Sequence, residues 1–457
     1  MNLIQWMNEH PARAGAITGW YQQACSSVAW LILLPVMTDA LGSTGAGVWF
    51  YFQTVLLFLG MMDFGFSQVI ARQVAHLSHK SPNSAYIDET DFIDLPEGWA
   101  GIVQVHAISR KIFRQIAFVV FGLLVIIREC VFPFGRILPE RTVSTTLAWY
   151  FLGGAALLAL AARPYQAVLE GIGKLYASNL ILGSYQLVTT VTLIVVARQV
   201  PDMAWMGLTV FGLAGLQLEA FRRAFYSFTK IAPGRSNSRC PGPGLARQIR
   251  KIAAPIGIVN LAAMMVSSIQ VPLLGFLLGP VKVTGFFLAQ KMSQSMNLAV
   301  LQFAFSQLPL FTQELGSGRI ADARRRLMRN VMLSHGLVSA GAMSFYLLSP
   351  FVVELTLGHR EYITRKLLGL LALDQLLLGW CVVWSRFVIA AGRNPFLPST
   401  LIGGALNLAL CIILIKRFGL VGLASAGLIS GLCTHYWFNV WKGLELAHKL
   451  KMCMSRE

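Results

Sequence analysis

Long apolar stretches dominate this chain and most constrain what it can fold into. Hydrophobic residues fill 55% of the 457 positions and charged residues only 13%, so the chain lacks the polar side chains that cover a water-soluble domain. About 20 consecutive apolar residues are long enough to cross the hydrocarbon layer of a bilayer as a helix. The sequence therefore predicts an all-α polytopic membrane protein.

Twelve such stretches predict about 12 transmembrane helices. No alternation of the kind that transmembrane strands need is visible, and backbone amides left unpaired in hydrocarbon are costly, which favours helices. The predicted spans are 17–38, 46–76, 108–127, 144–168, 176–198, 203–227, 251–278, 283–314, 327–349, 363–391, 396–415 and 420–447.

The basic residues predict the orientation of the chain. The net charge is +18, and with both termini placed in the cytoplasm, 27 of the 38 Lys and Arg residues fall in cytoplasmic segments and 10 in periplasmic loops. Basic residues concentrate on the cytoplasmic side of membrane proteins. We therefore expect cytoplasmic termini, and we assign the charge to the membrane rather than to nucleic acid.

A basic segment rich in proline and glycine divides the chain near its midpoint. Residues 230–250 combine these helix breakers with several Lys and Arg residues, and they separate six predicted spans from six. We predict an N-terminal lobe over 1–229, a cytoplasmic linker over 230–250 and a C-terminal lobe over 251–457. The charge of the linker also suits anionic lipid headgroups.

The two halves of the chain resemble each other in sequence. Residues 64–68 recur at 303–307, Gln23 matches Asn260 at an offset of 237, and Gly183 matches Gly404 at an offset of 221. Because each half has an even number of spans, both halves enter the membrane from the same side, which predicts a parallel repeat. We expect two pseudo-symmetric six-helix lobes that enclose a cavity and rock to give alternating access.

Three short motifs carry a resemblance to a known family. They are Gly45–Trp49 at the start of the second span, Met62–Ser67 near its end, and Arg163–Lys174 at the cytoplasmic end of the fourth. Together with the spans, they resemble the multidrug/oligosaccharidyl-lipid/polysaccharide exporter (MOP) superfamily, and within it the Wzx-type polysaccharide or O-antigen flippases.

The resemblance implies a fold, a location and a substrate. The implied fold is a MATE-like pair of lobes in the bacterial inner (plasma) membrane. The implied substrate is a polyprenyl-pyrophosphate-linked oligosaccharide, flipped from the cytoplasmic to the periplasmic leaflet for polysaccharide or lipopolysaccharide biosynthesis. Other implied partners are the lipid bilayer and a polymerase or other glycan-assembly proteins.

Polar residues inside the spans are candidates for a substrate cavity. A charged residue at mid-membrane costs at least roughly 2.5 kcal/mol, so Lys291 in the eighth span predicts a wall that binds an anion. Amides, hydroxyls and an aromatic ring match sugar hydroxyls. Snorkelling of the lysine and hydrogen bonds between helices remain the alternatives. The predicted cavity residues are Lys291, Gln294, Ser295, Gln22, Gln23, Ser26, Trp30, Asn260 and Ser267.

Four more charged residues lie within spans or at their ends. Arg163 and Arg386 occupy equivalent cytoplasmic ends of the fourth and tenth spans, where they either capture a pyrophosphate headgroup or act as ordinary positive-inside anchors. Asp63 and Asp374 are candidates for ion coupling, and the alternative is a buried carboxyl bonded to a neighbouring helix.

No motif for catalysis, a cofactor or a metal is visible. The sequence lacks HExxH, Walker and Gly-x-Ser-x-Gly patterns, and no two of its 7 cysteines are spaced as a redox or zinc pair. We predict a transporter rather than an enzyme, with no cofactor. Two other functions stay open: a cation-coupled multidrug exporter of the same fold, which should place acids deep in its cavity, and a non-transporting scaffold of a glycan-synthesis complex.

Overall fold

The computed structural model is helical throughout nearly all of its described part. The structure describes residues 7, 10–60, 63, 65–78, 99–132, 142–229, 249–251, 253, 254, 257, 258, 261, 262, 264–266, 268–316, 318–357, 363–391 and 395–454. No strand occurs among these residues. Seven of their helical stretches are long and apolar enough to cross a membrane. The prediction of an all-α membrane protein is confirmed.

The helices of the first half follow the first six predicted spans. α1 holds the first span and about half of the second in one 50-residue element. A short π-helix, Ile127–Val131, extends α3. The bounds are α1 Pro11–Gly60, α2 Phe66–Ser78, α3 Trp99–Ile126, α4 Val143–Gly171, α5 Leu175–Gln199 and α6 Met203–Thr229.

The helices of the second half follow the later spans in the same way. α11 contains the eleventh span and the start of the twelfth, which α12 completes. The bounds are α7 Gln270–Leu278, α8 Pro280–Gly316, α9 Ile320–Leu357, α10 Arg365–Ala390, α11 Leu397–Cys433 and α12 His435–Met454.

The chain divides into two compact units. Of the described residues, the first unit contains those up to Ser78, those of 99–261, and the segment Leu274–Thr284. The second unit contains those of Ala262–Leu273 and those from Gly285 onward. Most of the predicted linker at 230–250 lies outside the described residues, so the predicted lobe boundaries stay a prediction.

Two glycines with left-handed backbone mark equivalent points of the two halves. Gly42 inside α1 has φ 69°, and Gly279 between α7 and α8 has φ 85°. This region costs an L-residue about 1–2 kcal/mol, which makes glycine the natural residue there. The two glycines are 237 residues apart, which is the offset between Gln23 and Asn260. The backbone therefore repeats where the sequence does.

A second pair of glycines packs in the same way in each half. In the first unit, a Cβ atom on Gly183 of α5 would lie 2.5 Å from the Tyr21 ring of α1. In the second unit, a Cβ atom on Gly404 of α11 would lie 2.9 Å from the carbonyl oxygen of Ala262. Each half thus uses the glycine matched by sequence to bring its fifth span close to its first.

The predicted second span, 46–76, is interrupted in the structure. α1 ends at Gly60 and α2 begins at Phe66. Between them, the Asp63 carboxylate accepts a hydrogen bond from the Gly65 amide at 3.0 Å, and Gly65 has φ 72°. An aspartate that bonds the backbone two residues later stabilises a turn in place of a helix. Asp63 therefore has a local structural role at this break.

The segment Leu274–Thr284 packs on α1 within the first unit. The Thr284 hydroxyl donates to the Ser43 carbonyl oxygen at 3.0 Å. A Cβ atom on Gly47 would lie 1.9 Å from the carbonyl oxygen of Pro280, and one on Gly275 would lie 2.3 Å from the Tyr51 ring. Both contacts depend on the absence of a side chain at a glycine.

Candidate functional site

A half-buried carboxylate, that of Asp374, lies among buried polar side chains of the second unit. The Tyr436 hydroxyl of α12 donates to Asp374 Oδ1 at 2.6 Å, and the Gln375 amide donates to Asp374 Oδ2 at 3.3 Å. Hydrogen bonds to a carboxylate are stronger than those between neutral groups. The acid is therefore held in place by α10 and α12.

Amides from α7 and α8 extend this arrangement. Asn297 Nδ2 donates to the Gln375 carbonyl oxygen at 2.6 Å and to its side-chain oxygen at 2.8 Å. Gln290 Nε2 donates to Gln270 Oε1 at 3.2 Å. Gly427 joins the two groups, because a Cβ atom there would lie 2.9 Å from Gln270 Nε2 and 3.6 Å from Asp374 Oδ1. We call these side chains the Asp374 cluster: Gln270, Gln290, Asn297, Asp374, Gln375 and Tyr436.

The donor set of the Asp374 cluster limits what it can bind. Its oxygen atoms belong to a carboxylate, to amides and to a phenol. Oxygen atoms of these kinds can bind a proton or coordinate a hard cation. Asn297 Oδ1 is buried and has no hydrogen-bond partner, so it can accept one more bond. Across the described part of the chain, no group of three His, Cys, Asp or Glu residues could hold a metal ion.

α8 carries a second polar face beside the one in the core. Gln290, Ser293 and Asn297 are buried, whereas Lys291, Gln294 and Ser295 are only half-buried. The Ser295 hydroxyl donates to the Lys291 carbonyl oxygen at 2.8 Å. Lys291 Nζ lies 5.4 Å from the centre of the Phe287 ring, within range of a cation–π interaction. The three residues predicted for the cavity wall in α8 thus share one face.

The predicted polar face of α1 is also half-buried. Gln23 Nε2 donates to the Ser27 hydroxyl at 3.1 Å, and the Trp30 ring packs edge-on against Phe50 with centres 6.1 Å apart. Gln22 and Ser26 share the half-buried surface. Asn260 and Ser267, the predicted cavity residues of the seventh span, lie outside the described residues.

Arg163 belongs to a chain of polar side chains that connects α4 to α5. Its Nη1 donates to Gln166 Oε1 at 3.1 Å, and Gln166 Nε2 donates to Glu170 Oε1 at 2.8 Å. The Ser178 hydroxyl of α5 donates to the same carboxylate oxygen at 3.1 Å. Arg386, its predicted equivalent, lies on the exposed side of α10.

Comparison with known proteins finds likeness in structure only. No family profile matches the sequence, and no curated protein matches it. Among solved structures, an inward-facing MATE family transporter of the MOP superfamily superposes with a TM-score of 0.65 at 13% identity, covering 96% of this chain and 99% of that one. A Vibrio cholerae MATE transporter has a TM-score of 0.64 at 14% identity, covering 96% and 98%.

A third neighbour is a MOP superfamily transporter from Pyrococcus furiosus, with a TM-score of 0.63, 14% identity and coverage of 96% and 97%. The chain has the fold of the MATE transporters. The predicted fold class is confirmed, and with its apolar helices the chain is a multi-pass membrane protein.

Within this MATE fold, sequence reasoning found Asp374 but missed much of its surroundings. It did not single out Gln290, Asn297 or Tyr436. A signal was available for the first two, because residues 290, 293 and 297 are spaced to share one helix face that differs from the face of Lys291. Tyr436 gave no such signal, since an aromatic residue in a span is usually part of the apolar packing.

Proposed function

We propose that this MATE-fold protein is a flippase that moves polyprenyl-pyrophosphate-linked oligosaccharides from the cytoplasmic to the periplasmic leaflet of a bacterial inner membrane. In this role it serves polysaccharide or lipopolysaccharide biosynthesis together with glycan-assembly proteins such as a polymerase. It works by alternating access.

The observation that carries the proposal is the position of the charges on α8 and α10. Lys291 lies half-buried on a face of α8 beside an amide and a hydroxyl, whereas Asp374, which is also half-buried, accepts hydrogen bonds from Tyr436 and Gln375. A cation flanked by neutral hydrogen-bonding groups suits a sugar phosphate, because the lysine attracts the pyrophosphate and the neutral groups bind hydroxyls. A cationic drug needs the opposite polarity.

One solved neighbour supports using polarity as the criterion. The Pyrococcus furiosus transporter is described by a binding pocket of reversed polarity that suggests a different function. Polarity is thus a property by which proteins of this fold are distinguished, and we apply the same criterion to Lys291.

The membrane potential assists the proposed direction of transport. A pyrophosphate headgroup carries negative charge, and a potential negative inside favours its outward movement by roughly 2.3 kcal/mol per charge per 100 mV. Ion coupling through Asp374 would add to this driving force. Outward movement of the headgroup does not require ion coupling.

Export of the glycan should depend on the charge at position 291. In cells whose own gene is replaced, we expect Lys291→Ala to reduce export at least about tenfold, in line with the loss of one desolvated ion pair, while Lys291→Arg keeps most of it. Lipid-linked sugar should accumulate on the cytoplasmic side of the Ala strain. The measurement is surface glycan per cell at matched protein level.

Lys282→Ala is the matched control, because Lys282 lies on the same helix but is exposed. We expect normal export in this strain. If Lys291→Ala exports as well as Lys282→Ala, Lys291 has no part in transport. If replacing cavity residues has no effect while altered loops abolish synthesis, the chain is a scaffold.

A cation-coupled multidrug exporter is the second candidate, and the Asp374 cluster favours it. The cluster offers a half-buried carboxylate that can take up a coupling ion, as such an exporter needs. Deletion of the gene distinguishes the two functions. Loss of surface glycan supports the flippase, whereas normal glycan with raised sensitivity to cationic drugs supports the exporter.

A further inference from the structure

A polar cavity lies between α8 and the start of α9 in the second unit, away from the Asp374 cluster. It has a volume of about 460 Å³. Its wall is formed by eight residues of these two helices. They are Gln307, Glu314, Asp322, Arg325, Arg326, Arg329, Asn330 and Leu333.

One arginine of the cavity, Arg326, already donates hydrogen bonds to neighbouring side chains from all three nitrogen atoms of its guanidinium group. Arg326 donates to both Glu314 oxygens, from Nε at 2.8 Å and from Nη2 at 2.5 Å. Its Nη1 donates to Gln307 Oε1 at 3.0 Å. A bidentate pair of this kind neutralises both charges and fixes their geometry. Arg326 and Glu314 therefore form a rigid, neutral wall.

The other basic residues keep their donors available. No hydrogen bond or ion pair between described residues occupies the guanidinium of Arg325 or Arg329, which lie one helical turn apart on the exposed side of α9. Asp322 is the one further acid that lines the cavity, so beyond the neutral wall the net charge is positive. Two guanidinium groups on adjacent helical turns can donate hydrogen bonds to the same phosphate group.

A buried amide adds a second, independent indication of a ligand. Asn330 lines the cavity with only 3% of its surface exposed, and its Nδ2 has no hydrogen-bond partner. Leaving a buried donor unsatisfied costs about 1–3 kcal/mol, so such groups are normally bonded. An anion with several oxygen acceptors would satisfy Asn330 and the two arginines together.

The surface of α9 beyond the cavity indicates that the anion is attached to a lipid. Most of the residues that follow Arg329 along the same side of the helix are apolar and strongly exposed. In a membrane-spanning helix, such a stripe faces acyl chains. The stripe consists of Leu333, Leu337, Leu347, Phe351 and Leu355, each at least 45% exposed.

We propose that this cavity, the Arg325–Arg329 site, binds the phosphate of a lipid whose chain lies along the apolar stripe of α9. The phosphate belongs to an anionic phospholipid or to a polyprenyl phosphate, since both present the same oxygen acceptors. The site lies at the end of α9 predicted to be cytoplasmic. The proposal goes beyond the flippase function, because the site does not include Lys291 or any other predicted cavity residue.

Lipid binding to the purified full-length protein tests the proposal. Native mass spectrometry would compare binding of phosphatidylglycerol, a polyprenyl monophosphate and phosphatidylcholine. We expect the wild type to prefer one or both anionic lipids, and Arg325→Gln/Arg329→Gln to weaken that binding at least about tenfold, as the loss of two basic residues at a membrane surface implies. Phosphatidylcholine binding should not change.

Arg222→Gln/Arg223→Gln is the matched control. These arginines are exposed on α6 in the first unit, where both pair with Glu219. We expect this variant to bind lipid like the wild type. Asn330→Asp serves as a second test variant, because it replaces the buried donor by a carboxylate and should weaken anionic lipid binding even if the double variant folds poorly. Melting temperatures check the fold of each.

The lipid that loses affinity identifies the source of the phosphate. A loss confined to phosphatidylglycerol indicates a phospholipid site, and a loss confined to the polyprenyl phosphate indicates a site for the carrier lipid. Inorganic phosphate that displaces either lipid at equal concentration would overturn the lipid assignment. Unchanged binding of both anionic lipids in the well-folded variants would overturn the site itself.

Discussion

Replacement of Gly47 by alanine should lower the thermal stability of the protein and reduce the export that we propose for it. A Cβ atom at this position would lie 1.9 Å from the carbonyl oxygen of Pro280 and 2.5 Å from its carbonyl carbon. Both atoms belong to the backbone, so no side chain can rotate away. Overpacking of this kind costs roughly 1–3 kcal/mol. The measurement is the melting temperature of the purified protein, followed by surface glycan in cells.

Gly275 provides a paired test of the same contact. A Cβ atom there would meet the Tyr51 side chain at 2.3 Å. We expect Gly275→Ala to be destabilising and Tyr51→Ala to restore much of the loss in the double variant, because the obstacle is removable. Pro280→Ala should not rescue Gly47→Ala in the same way, since the obstacle is backbone.

Gly122→Ala is the control for both substitutions. No atom lies within 4 Å of a Cβ atom at Gly122, which lies inside α3. Alanine favours a helix over glycine by about 0.5–1 kcal/mol, so stability should stay equal or rise. A Gly47→Ala protein as stable as Gly122→Ala would show that Leu274–Thr284 does not pack on α1 as described.

Loss of the carboxylate of Asp374 should have the second large effect. Asp374→Ala leaves the Tyr436 hydroxyl and the Gln375 amide without their acceptor. Each buried group left unsatisfied costs about 1–3 kcal/mol. We expect a clear drop in melting temperature, a smaller drop in Asp374→Asn, which keeps one acceptor, and non-additive effects when Asp374→Ala is combined with Tyr436→Phe.

The asparagine variant also separates folding from ion coupling. If Asp374 carries a coupling ion, Asp374→Asn in vesicles should lose any dependence of transport on a proton or sodium gradient while still folding. Asp39→Asn is the control, since Asp39 is exposed and directly follows the first predicted span, 17–38. Gradient dependence that survives in Asp374→Asn but not in Asp39→Asn would rule out Asp374 as the coupling group.

The sequence predicted the helices well because hydrophobic length is a local property. Every predicted span from the third to the sixth and from the eighth to the tenth corresponds to one helix of the structure. The interruption of the second span was not predicted, because a turn at Asp63 depends on one side-chain hydrogen bond. Nor does any local pattern show that Leu274–Thr284 packs on α1, since that contact joins residues far apart in the chain.

The candidate site was predicted only in part, for a related reason. Charge in a span identified Lys291 and Asp374, because ionisable residues are rare in hydrocarbon. Apart from Gln375, the other members of the Asp374 cluster come from α7, α8 and α12, and nothing local to Gln290 or Tyr436 indicates which neighbour each will meet. From the sequence, Arg325 and Arg329 were only two of the 27 basic residues counted in cytoplasmic segments, since the exposed stripe and the buried Asn330 become visible only in the folded chain.

The matched turns at Gly42 and Gly279 bear on how the chain evolved. A left-handed turn kept at the same register in both halves is what duplication of an ancestral segment would leave behind. A feature of one half alone, such as the five acidic residues between positions 88 and 97, then marks where the copies diverged. A symmetric ancestor rebuilt from the shared positions would keep both turns and lack this acidic stretch.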